Sequence, residues 1–255
     1  MFQLRHVTLN LSSPGDTPSV RFELSNFEVE AGEAVALTGP SGCGKSTLVN
    51  LIAGLRRPDE GEVTVAGVDL TTLSAAQLDR HRGAHCGMVF QSFALLPHKT
   101  VLENVGYGLE VQGQKLEERN KTAMEKIEAV GLTGFEHQYP NQLSGGMQQR
   151  VGLARALATD TDIMLMDEAF SALDPLIRSD MQKQLLDLQA ELKKTIVFIT
   201  HDLDESLRLG DHIGILNAGK LVQVGTPVEI IMNPADDYVE AFVKDVNRAK
   251  VIKAK

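Results

Sequence analysis

One nine-residue stretch constrains the fold of this chain more than any other. It reads Gly39-Pro40-Ser41-Gly42-Cys43-Gly44-Lys45-Ser46-Thr47. The apolar run at 34–37 before it predicts a short buried strand, and the apolar positions after it predict a helix. A strand, the pattern G-x-x-x-x-G-K-[ST] and a helix form a P-loop, in which backbone N–H groups and the helix N-terminus face an anion. The sequence therefore predicts a nucleoside triphosphate site here, and a glycine-rich turn that matches by accident is the alternative.

Three side chains of this stretch have expected roles. Lys45 places a positive charge on the β- and γ-phosphates, and the Ser46 hydroxyl can ligate Mg²⁺. Because Cys43 lies beside Lys45 at a helix N-terminus, we also expect its thiol to have a lowered pKa and to be reactive if solvent reaches it. The alternative for Cys43 is an inert small residue that is present only because it fits.

Composition limits the partners and the compartment. The 255 residues include 34 acidic and 25 basic ones, a formal charge of −9, which argues against a sequence-independent hold on nucleic acid. Two cysteines make no disulfide framework, so we expect a reducing compartment. No run of about 18 apolar residues occurs, and the first residues lack the pattern of a signal peptide. We therefore expect a cytoplasmic chain that binds no nucleic acid and does not span a membrane.

Hydrophobic periodicity predicts an α/β chain with a helical middle. Alternating or continuous apolar runs predict strands, and spacings of three and four predict helices. The predicted strands are 2–11, 20–29, 62–65, 86–90, 162–167, 195–200, 213–216 and 220–224; the predicted helices are 75–82 and 175–192, with helical structure from 101 to 158.

Two further motifs lie at the ends of predicted elements: two carboxylates follow a strand, and a serine with two glycines begins a helix. Asp167 and Glu168 follow four apolar residues, so a buried strand would deliver Asp167 to hold Mg²⁺ and Glu168 to orient or deprotonate a water. Ser144, Gly145 and Gly146 open an apolar helix and predict a second phosphate-binding helix N-terminus. Taken alone, the first motif also resembles a helix start, and the second resembles an ordinary N-cap.

The order and spacing of these motifs resemble those of an ATP-binding cassette (ABC) ATPase. The resemblance rests on the P-loop, Gln91, residues 143–150, residues 163–168, Ser171-Ala172-Leu173-Asp174 and His201. It implies a RecA-like P-loop NTPase core with an N-terminal antiparallel β-subdomain and an inserted α-helical subdomain. Within a single domain over 1–255, it assigns 1–91 and 158–246 to the β-subdomain and core, 92–157 to the helical subdomain and 247–255 to a frayed basic tail.

The resemblance also implies individual roles. Gln91 resembles the glutamine that touches Mg²⁺ and senses the γ-phosphate, and His201 resembles the switch histidine that contacts that phosphate. The segment that ends at Asp174 resembles the D-loop, which crosses the interface of a head-to-tail homodimer. Each of two ATP molecules would then contact Lys45 of one subunit and Ser144, Gly145 and Gly146 of the other.

One position departs from the family pattern. The family usually has an aromatic residue that stacks on adenine near the end of the first strand, and the alignment puts Leu11 there. Phe22 on the adjacent predicted strand could substitute, although its alternation with Val20 and Leu24 favours a core position.

The two halves of the chain resemble different subfamilies. From about residue 90 onward the chain is similar to the ATPase of glycine betaine/proline importers, with Ala169 where most relatives carry proline. Residues 1–89 are more similar to ATPases of lipoprotein or macrolide export systems. A divergent subfamily or a recombined chain would each account for this. The importer family's N-terminal extension and C-terminal nucleotide-sensing domain have no counterpart in these 255 residues.

The sequence thus predicts an ATP-hydrolysing subunit that drives separate transmembrane permease subunits from the inner face of the plasma membrane. If the system imports, we also expect a substrate-binding protein. Export, a soluble non-transport ABC protein, and a GTPase or adenylate-type kinase are the alternatives. The last of these leaves residues 143–150 without a role.

Overall fold

The computed structural model describes residues 1–11, 20–171 and 173–244. Within these ranges the strands are β1 Phe2–Leu11, β2 Val20–Val29, β3 Ala34–Thr38, β4 Glu60–Val65, β5 Val68–Asp69, β6 Cys86–Phe90, β7 Ile163–Asp167, β8 Thr195–Ile199, β9 His212–Asn217 and β10 Lys220–Gly225. The α-helices are α1 Lys45–Ile52, α2 Ala75–His85, α3 Val101–Val111, α4 Leu116–Ala129, α5 Gly145–Ala158, α6 Pro175–Leu192, α7 Leu203–Leu209, α8 Pro227–Met232 and α9 Asp237–Phe242. Short 3₁₀ helices lie at Leu70–Thr72 and Pro140–Gln142.

The chain forms two compact units, Met1–Asp79 with Lys193–Lys255, and Arg80–Leu192. In the first unit the strands follow the order β5-β4-β1-β2-β10-β9-β3-β8. The outer strands β1, β2, β4 and β5 pair antiparallel, whereas β3 runs parallel to both β8 and β9. This unit therefore contains the predicted antiparallel sheet and a parallel core.

A β-bulge in β1 explains which of its side chains are buried. The pairing with β4 shifts register between Arg5 and Thr8, and His6 between them has a φ of 50°. An extra residue in one strand moves the following side chains to the opposite face. The buried positions accordingly change from Phe2 and Leu4 to Val7 and Leu9.

Strand β3 lies at the centre of the parallel core. All five of its residues, Ala34–Thr38, are buried. A parallel strand covered on both faces has a continuous apolar sequence rather than an alternating one, which is what this strand has. Helices α1 and α7 pack against this part of the sheet, α1 against β8 and α7 against β3. The P-loop therefore starts from a rigid, fully buried strand.

The second unit combines one parallel strand pair with packed helices. Strands β6 and β7 pair in parallel register, and α3, α4 and α5 pack against one another. Helix α3 begins with a capping box, in which Thr100 and Glu103 satisfy each other's backbone N–H groups. Buried apolar residues at spacings of three and four, among them Val105 and Leu109 of α3, form the helical core.

The predicted strands and the long helix are confirmed, with ends shifted by a few residues. The helical middle resolves into α3, α4 and α5, and the sequence analysis missed α7, α8 and α9. The tail at 247–255 lies outside the described residues, and the subdomain boundaries at 91 and 158 stay a prediction. None of the described helices is long and apolar enough to cross a membrane.

Candidate nucleotide-binding site

The P-loop backbone favours glycine at all three of its glycine positions, and at two of them a side chain would also have no room. Gly39, Gly42 and Gly44 all have positive φ values, of 142°, 77° and 109°. A Cβ atom at Gly39 would lie 2.1 Å from the carbonyl oxygen of Leu216, and one at Gly44 would lie 2.8 Å from a ring carbon of Phe22. Side chains at Gly39 and Gly44 would therefore collide with β9 and β2 as well as strain the backbone.

Lys45 is folded back onto the loop that precedes it. Its side chain is nearly buried, and Nζ donates hydrogen bonds to the carbonyl oxygens of Gly39 at 2.8 Å and Pro40 at 2.9 Å. A buried ammonium group needs such partners, because burial without them is costly. The next residue, Ser46, is exposed in the first turn of α1. The loop thus holds the positive charge of Lys45, and the Ser46 hydroxyl lies next to it on the solvent-exposed side.

The prediction that the Cys43 thiol has a lowered pKa is wrong, and the condition for its reactivity, access of solvent, is not met. The thiol is buried, and this burial raises its pKa above the ordinary value of 9.0. The Lys45 ammonium lies 3.9 Å from the sulfur and lowers the pKa, but the loss of solvation has the larger effect. Cys43 therefore fits the alternative of an inert small residue. Cys86, also buried, has its pKa raised by burial to about 12.

His201 lies at the same edge of the first unit as the P-loop. Strands β3 and β8 are parallel neighbours, with Leu37 beside Ile199. The P-loop begins two residues after Leu37, and the exposed His201 follows Ile199 by two residues. Since parallel strands end at the same edge of a sheet, the sequence-predicted Lys45, Ser46 and His201 share that edge.

The second unit brings Gln91, Asp167 and Glu168 together. Phe90 of β6 pairs with Asp167 of β7, so Gln91 and Glu168 leave neighbouring strands side by side. Gln91 Nε2 donates a hydrogen bond to Ser171 Oγ at 3.3 Å, and Ser171 Oγ donates to the backbone oxygen of Glu168 at 2.8 Å. An exposed amide and two half-buried carboxylates therefore lie at one sheet edge.

The backbone at Glu168 has an unusual conformation. Its φ is 48°, in the left-handed region that residues other than glycine rarely occupy. Such backbone strain is concentrated at functional sites, where the surrounding structure holds it in place. Asp174 ends this loop and caps α6, because its Oδ1 accepts hydrogen bonds from the N–H groups of Leu176 and Ile177, each at 3.1 Å. Ala172 lies outside the described residues.

Ser144 is the N-cap of α5. Its hydroxyl accepts a hydrogen bond from the N–H of Met147 at 3.3 Å, and Ser144 and Gly145 are exposed. A Cβ atom at Gly146 would lie 2.7 Å from Cγ2 of Ile177, so glycine lets α5 approach α6 closely. The predicted helix N-terminus is thus present, with two glycines that leave its first N–H groups open to solvent.

Sequence reasoning missed Arg155, which holds the loop after Gln91. Its guanidinium donates hydrogen bonds to the carbonyl oxygens of Phe93 at 2.9 Å and Ala94 at 2.7 Å. Phe93 and Ala94 have positive φ values of 62° and 45°. Arg155 therefore fixes a strained loop against the helix that Ser144 begins. No local pattern reveals this contact, because the partners are about 60 residues apart in sequence.

A family model described as "ABC transporter" matches residues 22–171, more than half of the chain. The chain belongs to the ABC transporter family. Its fold is that of solved ABC cassettes: the dimeric structure of the ABC transporter cassette MJ0796 is 36% identical, with a TM-score of 0.79 over 89% of this chain and 99% of that one. A second MJ0796 structure, a dimeric post-hydrolysis state bound to ADP and Pi, has a TM-score of 0.80 at the same identity and coverage. The predicted α/β P-loop NTPase fold is confirmed.

Curated ABC relatives are more similar in sequence. The glycine betaine transport ATP-binding protein OpuAA of Bacillus subtilis is 56% identical over 244 residues, and the glycine betaine/carnitine transport protein GbuA of Listeria monocytogenes is 57% identical over 230. The glycine betaine/proline betaine transport protein ProV of Escherichia coli is 53% identical over 231 residues. These alignments cover 96%, 90% and 91% of this chain, which spans 58% of the length of each relative. One relative named for glycine betaine transport, OpuAA, thus aligns with both halves of the chain.

The adenine-stacking position of this ABC chain remains a prediction. Leu11 ends β1, where its backbone pairs with Val20, but its side chain lies outside the described part of the structure. Phe22 is fully buried and its ring packs beside Gly44. Phe22 is therefore a core residue, as its alternation with Val20 and Leu24 predicts, and its ring packs against the P-loop at Gly44.

Proposed function

We propose that this chain binds MgATP at residues 39–47 and hydrolyses it to ADP and phosphate as the nucleotide-binding subunit of an ABC transporter. The observation that carries the proposal is the P-loop: glycines at positive φ and a buried Lys45 whose ammonium already lies against the loop carbonyls. A triphosphate exchanges those neutral carbonyls for phosphate oxygens, which are stronger partners for a positive charge. Family membership supports the choice of ATP.

The residues at the sheet edge of the second unit supply the chemistry. Glu168 orients or deprotonates the attacking water, and Gln91 and Asp167 hold Mg²⁺ together with Ser46. These hydroxyl, amide and carboxylate oxygens suit Mg²⁺, which uses one or two carboxylates, water and phosphate oxygens rather than a cage made by protein alone. When bound, Mg²⁺ would neutralise charge that develops on the phosphates. His201 contacts the γ-phosphate.

The active form is a head-to-tail homodimer. Each ATP then contacts Lys45 of one subunit and Ser144, Gly145 and Gly146 of the partner subunit, with Asp174 near the interface. Two observations support this arrangement: the exposed N-terminus of α5, and the dimeric form of the 36% identical MJ0796 cassette. A dimer would also give the exposed Ser144 and Gly145 a partner beyond the capping of α5.

We infer that the transporter imports a glycine betaine-type osmoprotectant. Support comes from three relatives that are 53–57% identical and are named for betaine transport. Permease subunits would supply the pathway and dock near residues 91–97, a substrate-binding protein would deliver the solute, and the ATPase would sit on the inner face of the membrane. A lipoprotein or macrolide exporter is the second reading, and it rests on residues 1–89.

Two experiments test these statements separately. Phosphate release by the purified chain should require MgATP and should be abolished by Lys45→Ala and by Ser144→Arg, whereas Ser144→Arg should leave monomer nucleotide binding intact. Hydrolysis that stays first-order in enzyme at the lowest dilution, with no dimer present, would contradict the composite site. Co-purification of the permease from source cells, followed by uptake of labelled glycine betaine into vesicles, tests the substrate. ATP-dependent efflux of a lipoprotein or macrolide would contradict import.

A further inference from the structure

The turn between β8 and α7 contains a hydrogen-bond network that the proposed chemistry does not use. Thr200 and Glu205 are both buried, with 4% and 7% of their surface exposed. Thr200 Oγ1 accepts a hydrogen bond from the N–H of Asp202 at 3.0 Å and donates one to Glu205 Oε2. The Thr200 hydroxyl thus acts as acceptor and donor at once, and its single O–H donor is used on Glu205.

This network differs from the ordinary helix starts of the same chain. In α8 the N–H of the N-cap residue Thr226 donates directly to Glu229 Oε2 at 2.8 Å. In α7 the N-cap is Asp202, and Glu205 occupies the position that corresponds to Glu229. Here the N–H of Asp202 donates to the Thr200 hydroxyl, and this hydroxyl in turn donates a hydrogen bond to the Glu205 carboxylate. A hydroxyl group is therefore inserted into the capping arrangement.

The hydrogen bond to the Thr200 hydroxyl spans one residue, His201. The bond from the N–H of Asp202 to Thr200 Oγ1 closes a turn in which a side chain replaces a backbone acceptor. On the far side, Asp202 accepts hydrogen bonds from the N–H of Glu205 and from Ser206 Oγ, each at 3.2 Å. The backbone on both sides of His201 is thus fixed by buried groups, whereas His201 itself is exposed.

Burial gives this network its rigidity. A buried carboxylate is costly unless hydrogen bonds satisfy it, and Glu205 also lies in the first turn of α7, where the helix dipole favours negative charge. Loss of the Thr200 hydroxyl would leave a buried carboxylate and a backbone N–H each without this partner. The turn would then have to move so that these groups reach water or other donors.

We propose that Thr200 and Glu205 are positioning residues that hold His201 in place at the edge of the sheet. The inference rests on the proposed function, in which His201 contacts the γ-phosphate. Neither residue touches the nucleotide in this account; both act through the backbone of His201.

The position of His201 can be measured without any activity assay. The chain has seven histidines, and a spectrum of ¹³C-labelled histidine rings identifies His201 as the signal lost in His201→Ala. We expect Thr200→Val, which keeps the shape but removes the hydroxyl, to shift or broaden that signal. Thr200→Ser should restore it, and Glu205→Gln, which retains an acceptor without the charge, should give a smaller shift. Thr226→Val removes a threonine from an ordinary capping box and is the matched control that should leave the signal unchanged.

Hydrolysis gives the second readout. Thr200→Val should lower kcat by about 10- to 100-fold with little change in KM, and should cost nothing more in a His201→Ala background, because residues that act as a unit are not additive. An unmoved His201 signal in Thr200→Val, or equal losses of kcat in both backgrounds, would overturn the proposal. Should Thr200→Val not fold, Glu205→Gln carries the same comparison. If the signal moves but His201→Ala hydrolyses ATP normally, positioning stands and the γ-phosphate role of His201 fails.

Discussion

Arg155 Nη1 donates a hydrogen bond to the carbonyl oxygen of Ala94 at 2.7 Å, and the other guanidinium nitrogen reaches Phe93 at 2.9 Å. This pair of bonds joins the last turn of α5 to the loop that follows Gln91. Both loop residues have positive φ values, so the loop is held in a conformation that it would not adopt alone. The position of Gln91 therefore depends on a side chain whose helix begins at Ser144.

We predict that Arg155→Lys lowers ATP turnover by about 10-fold, which corresponds to about 1.4 kcal/mol. An ammonium group is a point charge and cannot bridge two consecutive carbonyls as a planar guanidinium does. Steady-state phosphate release is the measurement. Arg119→Lys, which alters an arginine paired with Glu110 at 3.2 Å, is the control and should stay within about two-fold of the parent, because lysine keeps the positive charge that pairs with Glu110. Equal losses in the two variants would remove the special role of Arg155.

The thiols should be unreactive in the folded protein. Burial raises the pKa of both Cys43 and Cys86, and alkylation requires the thiolate. At neutral pH, iodoacetamide should therefore modify neither cysteine until denaturant is added, and then both. Mass spectrometry of the two peptides checks this. Rapid labelling of Cys43 in the folded chain, slowed by MgATP, would support the reactive thiol that the sequence predicted.

Cys86 should also make stability depend on pH in the alkaline range. Its pKa is raised from 9.0 to about 12 by burial, so the folded state keeps the proton that the unfolded state loses. The stability that this adds is fully present below pH 9.0 and is lost as the pH rises towards 12. Urea midpoints of the parent should fall more steeply above pH 9.0 than those of Cys86→Ala. If the urea midpoints of the two proteins fell equally with pH, burial would not raise the pKa of Cys86.

The sequence was sufficient where the signal is local. The P-loop, the Ser144 cap and the Asp167–Glu168 strand end are each set by a few adjacent residues and by the elements on either side of them. The Thr226-Pro227-Val228-Glu229 stretch carries an equally local capping pattern, so α8 could have been predicted.

Burial and long-range contact were not predictable in this way. The Cys43 prediction failed because the proximity of Lys45 is visible in the sequence whereas the packing that desolvates the thiol is not. Arg155 was missed because its partners, Phe93 and Ala94, come from a distant loop. The Thr200–Glu205 bond has short sequence spacing but matches no common capping pattern.

Substitutions at Phe22 and Leu11 should affect different properties of the protein. Phe22→Ala should mainly lower the free energy of unfolding, by about 3–5 kcal/mol, because the ring is fully buried beside Gly44. Leu11→Tyr should tighten ATP binding if residue 11 faces adenine, since base–aromatic stacking is worth about 1–3 kcal/mol. Thermal melts and ATP and GTP titrations of both variants separate the two effects. Selective loss of nucleotide binding in a stable Phe22→Ala protein would make Phe22 the stacking residue.

The most direct test of the account is ATP turnover by Glu168→Gln. The amide keeps the size and much of the hydrogen bonding of Glu168 but cannot accept a proton, so ATP should still bind while hydrolysis falls by about 10²- to 10⁴-fold. Because the nucleotide is not consumed, the ATP-bound homodimer should accumulate and appear as a larger species in gel filtration, and Ser144→Arg in the same chain should return it to the monomer. Near-normal hydrolysis by Glu168→Gln, or an ATP-bound protein that stays monomeric, would contradict the proposed mechanism.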